Sequence, residues 1–181
     1  MAYELKKTVA LVGMMGSGKT AVGSALARQL GVPFLDSDTE IETAANRTIA
    51  EIFQEHGESF FRDRETQVIA RLLDETCCIL STGGGAYLAP QNRDLISKHG
   101  VAVWLRADDE LLWNRVRHKT TRPLLRTDNP RETLVGLCKA RNPSYEKAEL
   151  VVDARAEYSI EEMATKVIEV LLTRPDVLIR K

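Results

Sequence analysis

The stretch VALVGMMGSGKTAVG, Val9 to Gly23, decides how the rest of the chain is read. It joins a short apolar run to three glycines within six residues and one lysine, Lys19. Two readings compete for it. Lys6 and Lys7 ahead of eight mostly apolar residues faintly resemble a secretory signal. That apolar run is at the short limit, however, and Gly16-Ser17-Gly18-Lys19 sets a charge where a small-residue cleavage site should stand. Strand, loop, helix is the better reading. Thr8–Val12 has the β-branched content of a buried strand, and Ala21–Leu30 has helix-forming composition.

Between strand and helix, Gly13-x4-Gly18-Lys19-Thr20 has P-loop spacing. Phosphate oxygens must approach main-chain N–H groups closely, and Gly13, Gly16 and Gly18 keep side chains out of that path. The following helix points its positive end at the anion. Lys19 is placed to reach the β- and γ-phosphates, and the Thr20 hydroxyl to ligate Mg²⁺. A nucleoside triphosphate is the expected ligand.

The bulk composition narrows the remaining classes. A chain of 181 residues suits one domain with a real core, expected to span 1–181. Its hydrophobic share of 44% and charged share of 28% are those of an ordinary globular protein. A net charge of −1 argues against a general nucleic-acid or membrane-surface binder. No apolar run approaches the roughly twenty residues of a membrane span. The three cysteines, with Cys77 and Cys78 adjacent, read as buried thiols in a reducing compartment. The expected location is cytoplasmic.

Apolar strand-like runs alternate with helical patterns, which predicts an α/β fold with a five-stranded parallel sheet covered on both faces. The strands are expected at Val9–Val12, Pro33–Leu35, Cys78–Leu80, Val101–Leu105 and Leu150–Val152. A charged helical stretch, Ile49–Leu73, should be interrupted near Gly57, and a further helix should run from Asp109 to Arg117. HKTTRPLLRTDNP, His118 to Pro130, breaks the periodicity with two prolines and four basic side chains. Such a segment reads as a mobile lid. The last helix, Ile160–Leu172, stops before Pro175, and the tail beyond reads as frayed.

A P-loop alone fits several protein classes. No Asn-Lys-x-Asp element marks a guanine-specific protein, and the usual aspartate closing an apolar strand is missing from CCILSTGGG and VAVWLRADD. Asp153 and Asp36 remain as metal-shell candidates. Asp36 and Asp38, in PFLDSDTE, project to one side if the chain stays extended; Asp36 or Ser37 also suits a helix N-cap. In FFRDRE, one of Arg62 and Arg64 suits a site and the other a solvated, ion-paired face. Gly83-Gly84-Gly85 in STGGGAY follows a strand and bares backbone where open α/β sheets bind ligands; a plain flexible turn is the alternative. RPLLR, Arg122 to Arg126, offers lid arginines for phosphoryl oxygens. Arg141 in ARNPSYE suits either a site or an ordinary helix end.

GMMGSGKT, LDSD, FRDRE, STGGG, RPLL and RNPSYE follow one another in the order and spacing of shikimate kinase, a resemblance running from Thr8 to about Tyr145. It implies the three-layer P-loop kinase fold. It also implies transfer of the ATP γ-phosphoryl group to the 3-hydroxyl of shikimate, on the route to chorismate and the aromatic amino acids. By similarity, Gly16, Ser17, Gly18, Lys19, Thr20 and Ala21 wrap the ATP phosphates. Thr20 would bind Mg²⁺ directly and Asp36 through water. Asp38 resembles the residue that hydrogen-bonds the acceptor hydroxyls and acts as base. Arg62 and Arg141 resemble the pair gripping the shikimate carboxylate, with Gly84 adding a backbone contact; Arg64 is left to the surface. Arg122 resembles the lid arginine that closes on ATP, and Arg115 a partner for adenine. The catalytic set is then Lys19, Asp38 and Arg122, with ATP and shikimate as partners, Mg²⁺ as cofactor and a monomer as the state. The alternatives are a gluconate-type small-molecule kinase and a P-loop module that binds ATP without turnover.

Overall fold

The computed structural model describes residues 2–118 and 125–181. Its centre is β2 (Thr8–Val12), whose five residues are all buried. On one side lie β4 (Ile79–Ser81) and then β3 (Phe34–Asp36); on the other lie β5 (Gly100–Arg106) and then β6 (Leu150–Asp153). All four pairings are parallel. Alternation along β2 divides the core in two. Val9 and Leu11 pack with α1 (Lys19–Leu30) and α7 (Ile160–Leu171). Ala10 and Val12 face the opposite layer, which holds Ile69 and Leu73 of α3 (Ile49–Leu73), Ile96 of α4 (Pro90–His99), Leu112 of α5 (Asp109–Val116) and Leu134 of α6 (Pro130–Tyr145). A central strand apolar on both faces requires such a three-layer arrangement.

A third cluster joins α2 (Ser37–Ala45) to α3 through Ile41, Ile52, Phe61 and Leu72, against Leu80 of β4. The expected break in α3 is at Gly57, whose φ of 83° and ψ of 175° leave the helical region.

Two expectations fail at the ends of elements. The tail is not frayed: β7 (Leu178–Arg180) pairs antiparallel with β1 (Tyr3–Leu5), setting Tyr3 opposite Arg180. Val177 and Leu178 are fully buried, so apolar contact with the α1–α7 layer holds this clasp. The second and third strands of the central sheet each begin and end one residue later than predicted, which makes Asp36 the last residue of β3. The strand-end acid therefore exists. Of the expected thiols, Cys78 and Cys138 are buried and Cys77 is half-buried; all are free.

Candidate active site

In register, Asp36 stands level with Ser81, and Ser81 with Leu11. This common carboxyl edge is where open α/β sheets take their ligands. A cavity of about 620 Å³ opens there, lined by residues 15–22, Asp36, Asp38, residues 81–84, Arg115, Tyr158, Ile160 and Met163. Gly16, Ser17, Gly18, Lys19, Thr20, Ala21, Asp36, Asp38, Gly84 and Arg115 are thus brought together. Arg122 and most of RPLLR lie outside the described residues, as does much of the segment read as a lid.

The loop before α1 is built for an anion. Side chains cap the N termini of α2, α3, α5, α6 and α7; α1, like α4, has neither a side-chain cap nor an acid in its first turn, and of these two only α1 opens onto the cavity. The N terminus of such a helix suits an anion entering the cavity. Gly16 has a φ of 83°, and a Cβ there would lie 2.7 Å from Val116 Cγ1. Close packing against α5 thus requires glycine, as does phosphate approach. Lys19 Nζ donates to the carbonyls of Gly13 (2.7 Å) and Met14 (3.0 Å), folding over the loop. Ser17 is buried beneath it, and its N–H donates to the Met14 carbonyl at 3.1 Å. Arg115 Nη1 donates to the Gly16 carbonyl at 3.0 Å, clamping the loop from α5.

Asp36 and Asp38 both reach the cavity, but not through an extended chain. Ser37 already begins α2, and Asp36 Oδ1 caps it by accepting from the N–H groups of Asp38 (2.9 Å) and Thr39 (3.1 Å). The capping role and the site position coincide. Burial and then the neighbouring Asp36 push the Asp38 carboxyl up to about 6, against the opposing pull of Lys19 and Arg62. Asp153 is elsewhere: Arg106 donates to its two oxygens at 2.6 and 3.0 Å, and it is not part of the cavity. It is removed as a metal candidate.

The triple glycine is neither plain nor loose. A Cβ on Gly83 would fall 2.7 Å from Asp38 Oδ1, on Gly84 3.1 Å from Arg141 Nη1, and on Gly85 2.6 Å from Arg62 Nη2. Each glycine gives way to a different charged side chain, and none of the three has a positive φ. Close approach, not turn conformation, explains them. The loop is also pinned. The Gly83 N–H donates to Ser37 Oγ, Tyr145 Oη to the Gly84 carbonyl, and Asn92 Nδ2 to the Ala86 carbonyl.

Arg62, not Arg64, faces this loop. Its Nη1 donates to Glu65 at 2.9 Å, and Glu65 is 1% exposed. Burial pushes the Glu65 carboxyl up, and Arg62 offsets part of that rise. Arg64 instead stacks over the Phe60 ring at 4.9 Å and donates to Gln67.

Three contributors escaped the sequence reading: Glu65, Tyr145, and the cavity wall made by Tyr158, Ile160 and Met163. Tyr145 sits in the quoted RNPSYE motif, one turn after Arg141, and that spacing was the available signal. Thr20 and Asp36 are hard oxygen donors on one cavity, the donor chemistry that Mg²⁺ takes. Among the described residues, no cluster of three or more His, Cys, Asp or Glu could hold a metal unaided.

Comparison with known proteins agrees with this geometry. A family profile described as shikimate kinase matches residues 15–172. A shikimate kinase of Cereibacter sphaeroides is 66% identical over 174 residues, covering 96% of this chain and 87% of the relative. One of Ruegeria pomeroyi is 64% identical over 177 residues, covering 98% and 91%. The solved shikimate kinase of Acinetobacter baumannii in complex with shikimate superposes with a TM-score of 0.86 at 39% identity, covering 92% of this chain and 93% of that one. A gluconokinase of Sinorhizobium meliloti has a TM-score of 0.59 at 17% identity, a likeness of fold alone. The chain belongs to the shikimate kinase family.

Proposed function

We propose that the shikimate kinase reaction of this chain, transfer of the ATP γ-phosphoryl group to the 3-hydroxyl of shikimate, runs through Lys19, Asp38 and the glycine-flanked arginines. The observation that carries this reading is the juxtaposition at the triple glycine. One acid and two guanidinium groups press against three successive bare residues beside the phosphate loop. Shikimate is a compact carboxylate with three hydroxyls. It needs cationic clamps for the acid and a hydrogen-bond acceptor at the reacting hydroxyl, not an apolar slot. Arg62 and Arg141 take the carboxylate with their planar forks, and Gly84 adds a main-chain contact. Asp38 orients the 3-hydroxyl and accepts its proton. A carboxyl near 6 is a better-matched base at neutral pH than one at 3.8.

Phosphoryl transfer has a loose transition state, so positioning and charge neutralisation carry most of the catalysis. Lys19 and the uncapped first turn of α1 supply the protein's part, with Arg122 adding a further cation. Mg²⁺ bound with the nucleotide neutralises phosphate charge; Thr20 would hold it directly and Asp36 through water. Arg115, which lines the same cavity, would be a partner for adenine. We further propose one kinase domain over 1–181, acting as a monomer. Three free thiols favour a reducing, cytoplasmic setting.

The test is ADP release with Mg²⁺-ATP and shikimate, with gluconate and AMP as parallel acceptors. Shikimate-dependent turnover alone is expected. Turnover with another acceptor would overturn the acceptor-site assignments. Arg62→Ala should raise the KM for shikimate at least about tenfold with the KM for ATP unchanged; equal loss of both would make Arg62 structural.

A further inference from the structure

The carboxylate clamp needs Arg141 and Gly84 held in one relative position, yet they come from different elements. Arg141 is on α6, and Gly84 is in the loop after β4. Tyr145 joins them. It ends α6 one turn after Arg141, so i, i+4 spacing sets both side chains on one helix face. Its Oη donates to the Gly84 carbonyl at 2.5 Å. The Arg141 guanidinium faces the same phenol and offsets part of the upward push that burial exerts on it. Arg141 Nη1 also approaches Gly84, 3.1 Å from where a Cβ would stand. The ring is fixed in turn, packed at 6.0 Å and tilted against Trp104 of β5, the strand next to the one that leads into the phosphate loop.

We propose that Tyr145 is a positioning residue for the acceptor site, holding the Arg141 guanidinium and the Gly84 backbone in the arrangement that receives the substrate carboxylate. At 1% exposure it offers a substrate no accessible surface. Its hydroxyl instead fixes the two groups that receive the carboxylate. A phenol buried this deeply could have been a phenylalanine, with the ring packing unchanged. The hydroxyl is what couples helix to loop, because a buried O–H persists where it finds a partner. The inference rests on the assignment of Arg141 and Gly84 to shikimate.

The test is a double-variant cycle with Tyr145→Phe and Arg141→Ala, read as KM for shikimate, KM for ATP and thermal midpoint. Tyr145→Phe keeps the ring and is expected to fold, which circular dichroism checks. It should raise the KM for shikimate about tenfold, the effect of one buried hydrogen bond lost from a binding site, and leave the KM for ATP within about twofold. In the Arg141→Ala background the same change should cost clearly less than in the wild type, because one of the groups it positions is gone. Equal rises in both KM values, an unchanged KM for shikimate, or fully multiplicative losses would overturn the role of Tyr145. If Arg141→Ala alone leaves the KM for shikimate unchanged, the carboxylate assignment itself fails, and the positioning role with it.

Discussion

At pH 8 the Asp38→Asn variant should unfold at a higher temperature than the wild type, while releasing ADP at least about 10²-fold more slowly. The two effects have one origin. Burial and Asp36 push the Asp38 carboxyl from its ordinary 3.8 up to about 6. A folded-state value above the unfolded one means that the folded chain holds the proton more tightly. Stability is therefore lost as pH rises from about 4 to about 6, and stays lost above that. At about 1.4 kcal/mol per pH unit the loss is capped near 3 kcal/mol. Asp38 is half-open to the cavity, so solvent screens part of it and about 1–2 kcal/mol remains. For a chain of this length that corresponds to roughly 2–8 °C. The assay is thermal unfolding of both proteins without nucleotide at pH 8 and pH 4, with ADP release on the same preparations. The stability difference should be present at pH 8 and nearly gone at pH 4. An Asn variant less stable at pH 8, or more stable by the same margin at both pH values, refutes the reasoning.

Four other outcomes are expected. The wild-type kcat/KM for shikimate should fall about tenfold per unit as pH drops below about 6, since the ionised form of Asp38 is the active one; a profile flat to pH 5 counts against it as base. Lys19→Ala should lower kcat by about 10²–10³, the range for losing one donor to developing charge, and near-normal turnover would remove Lys19 from the catalytic set. Gly85→Ala puts no strain on the backbone, because its φ of −94° suits alanine, but it should lower the thermal midpoint by loosening Arg62 from the buried Glu65. The new methyl should displace the Arg62 guanidinium and raise the KM for shikimate several-fold, whereas a normal KM would show that Arg62 adapts. Leu178→Ala should destabilise by about 2–5 kcal/mol through a buried cavity, and an unchanged midpoint would make the terminal clasp ornamental.

Much of this architecture could be read from the chain because single segments carry it. β2 is a continuous apolar run that leads into a glycine-rich loop, and Gly57 breaks a long helical pattern where the backbone does turn. Asp36 and Asp38 were identifiable as a pair, but their geometry was not, because an extended β3 and a helix starting at Ser37 place i and i+2 differently. The clasp was hidden: a strand of three residues is too short to show a period, and only burial against α1 and α7 makes Leu178 a strand residue. α4 has no counterpart among the sequence expectations, since PQNRDLISKH is mostly polar and buries only Asn92 and Ile96. Glu65 reads as one charge among many on a solvated helix. Its burial exists only because α3 packs where Arg62 must be held. Tyr145 is similar: its ring looks like core, and only the long-range approach of Gly84 gives its hydroxyl a task.

The pairing of Tyr3 with Arg180 also constrains the order in which the molecule can be assembled. β1 leaves the ribosome before the central sheet and β7 after it, so β1 remains an unpaired edge while that sheet is laid down. The contact spans nearly the full chain and gains its enthalpy only after the largest loop has closed. Folding should therefore finish at the clasp, with the kinase core formed before its ends are joined. Once joined, Tyr3 and Arg180 lie side by side, so a short peptide linking β7 to β1, with the chain opened in a surface loop instead, would convert the slowest closure into a local one.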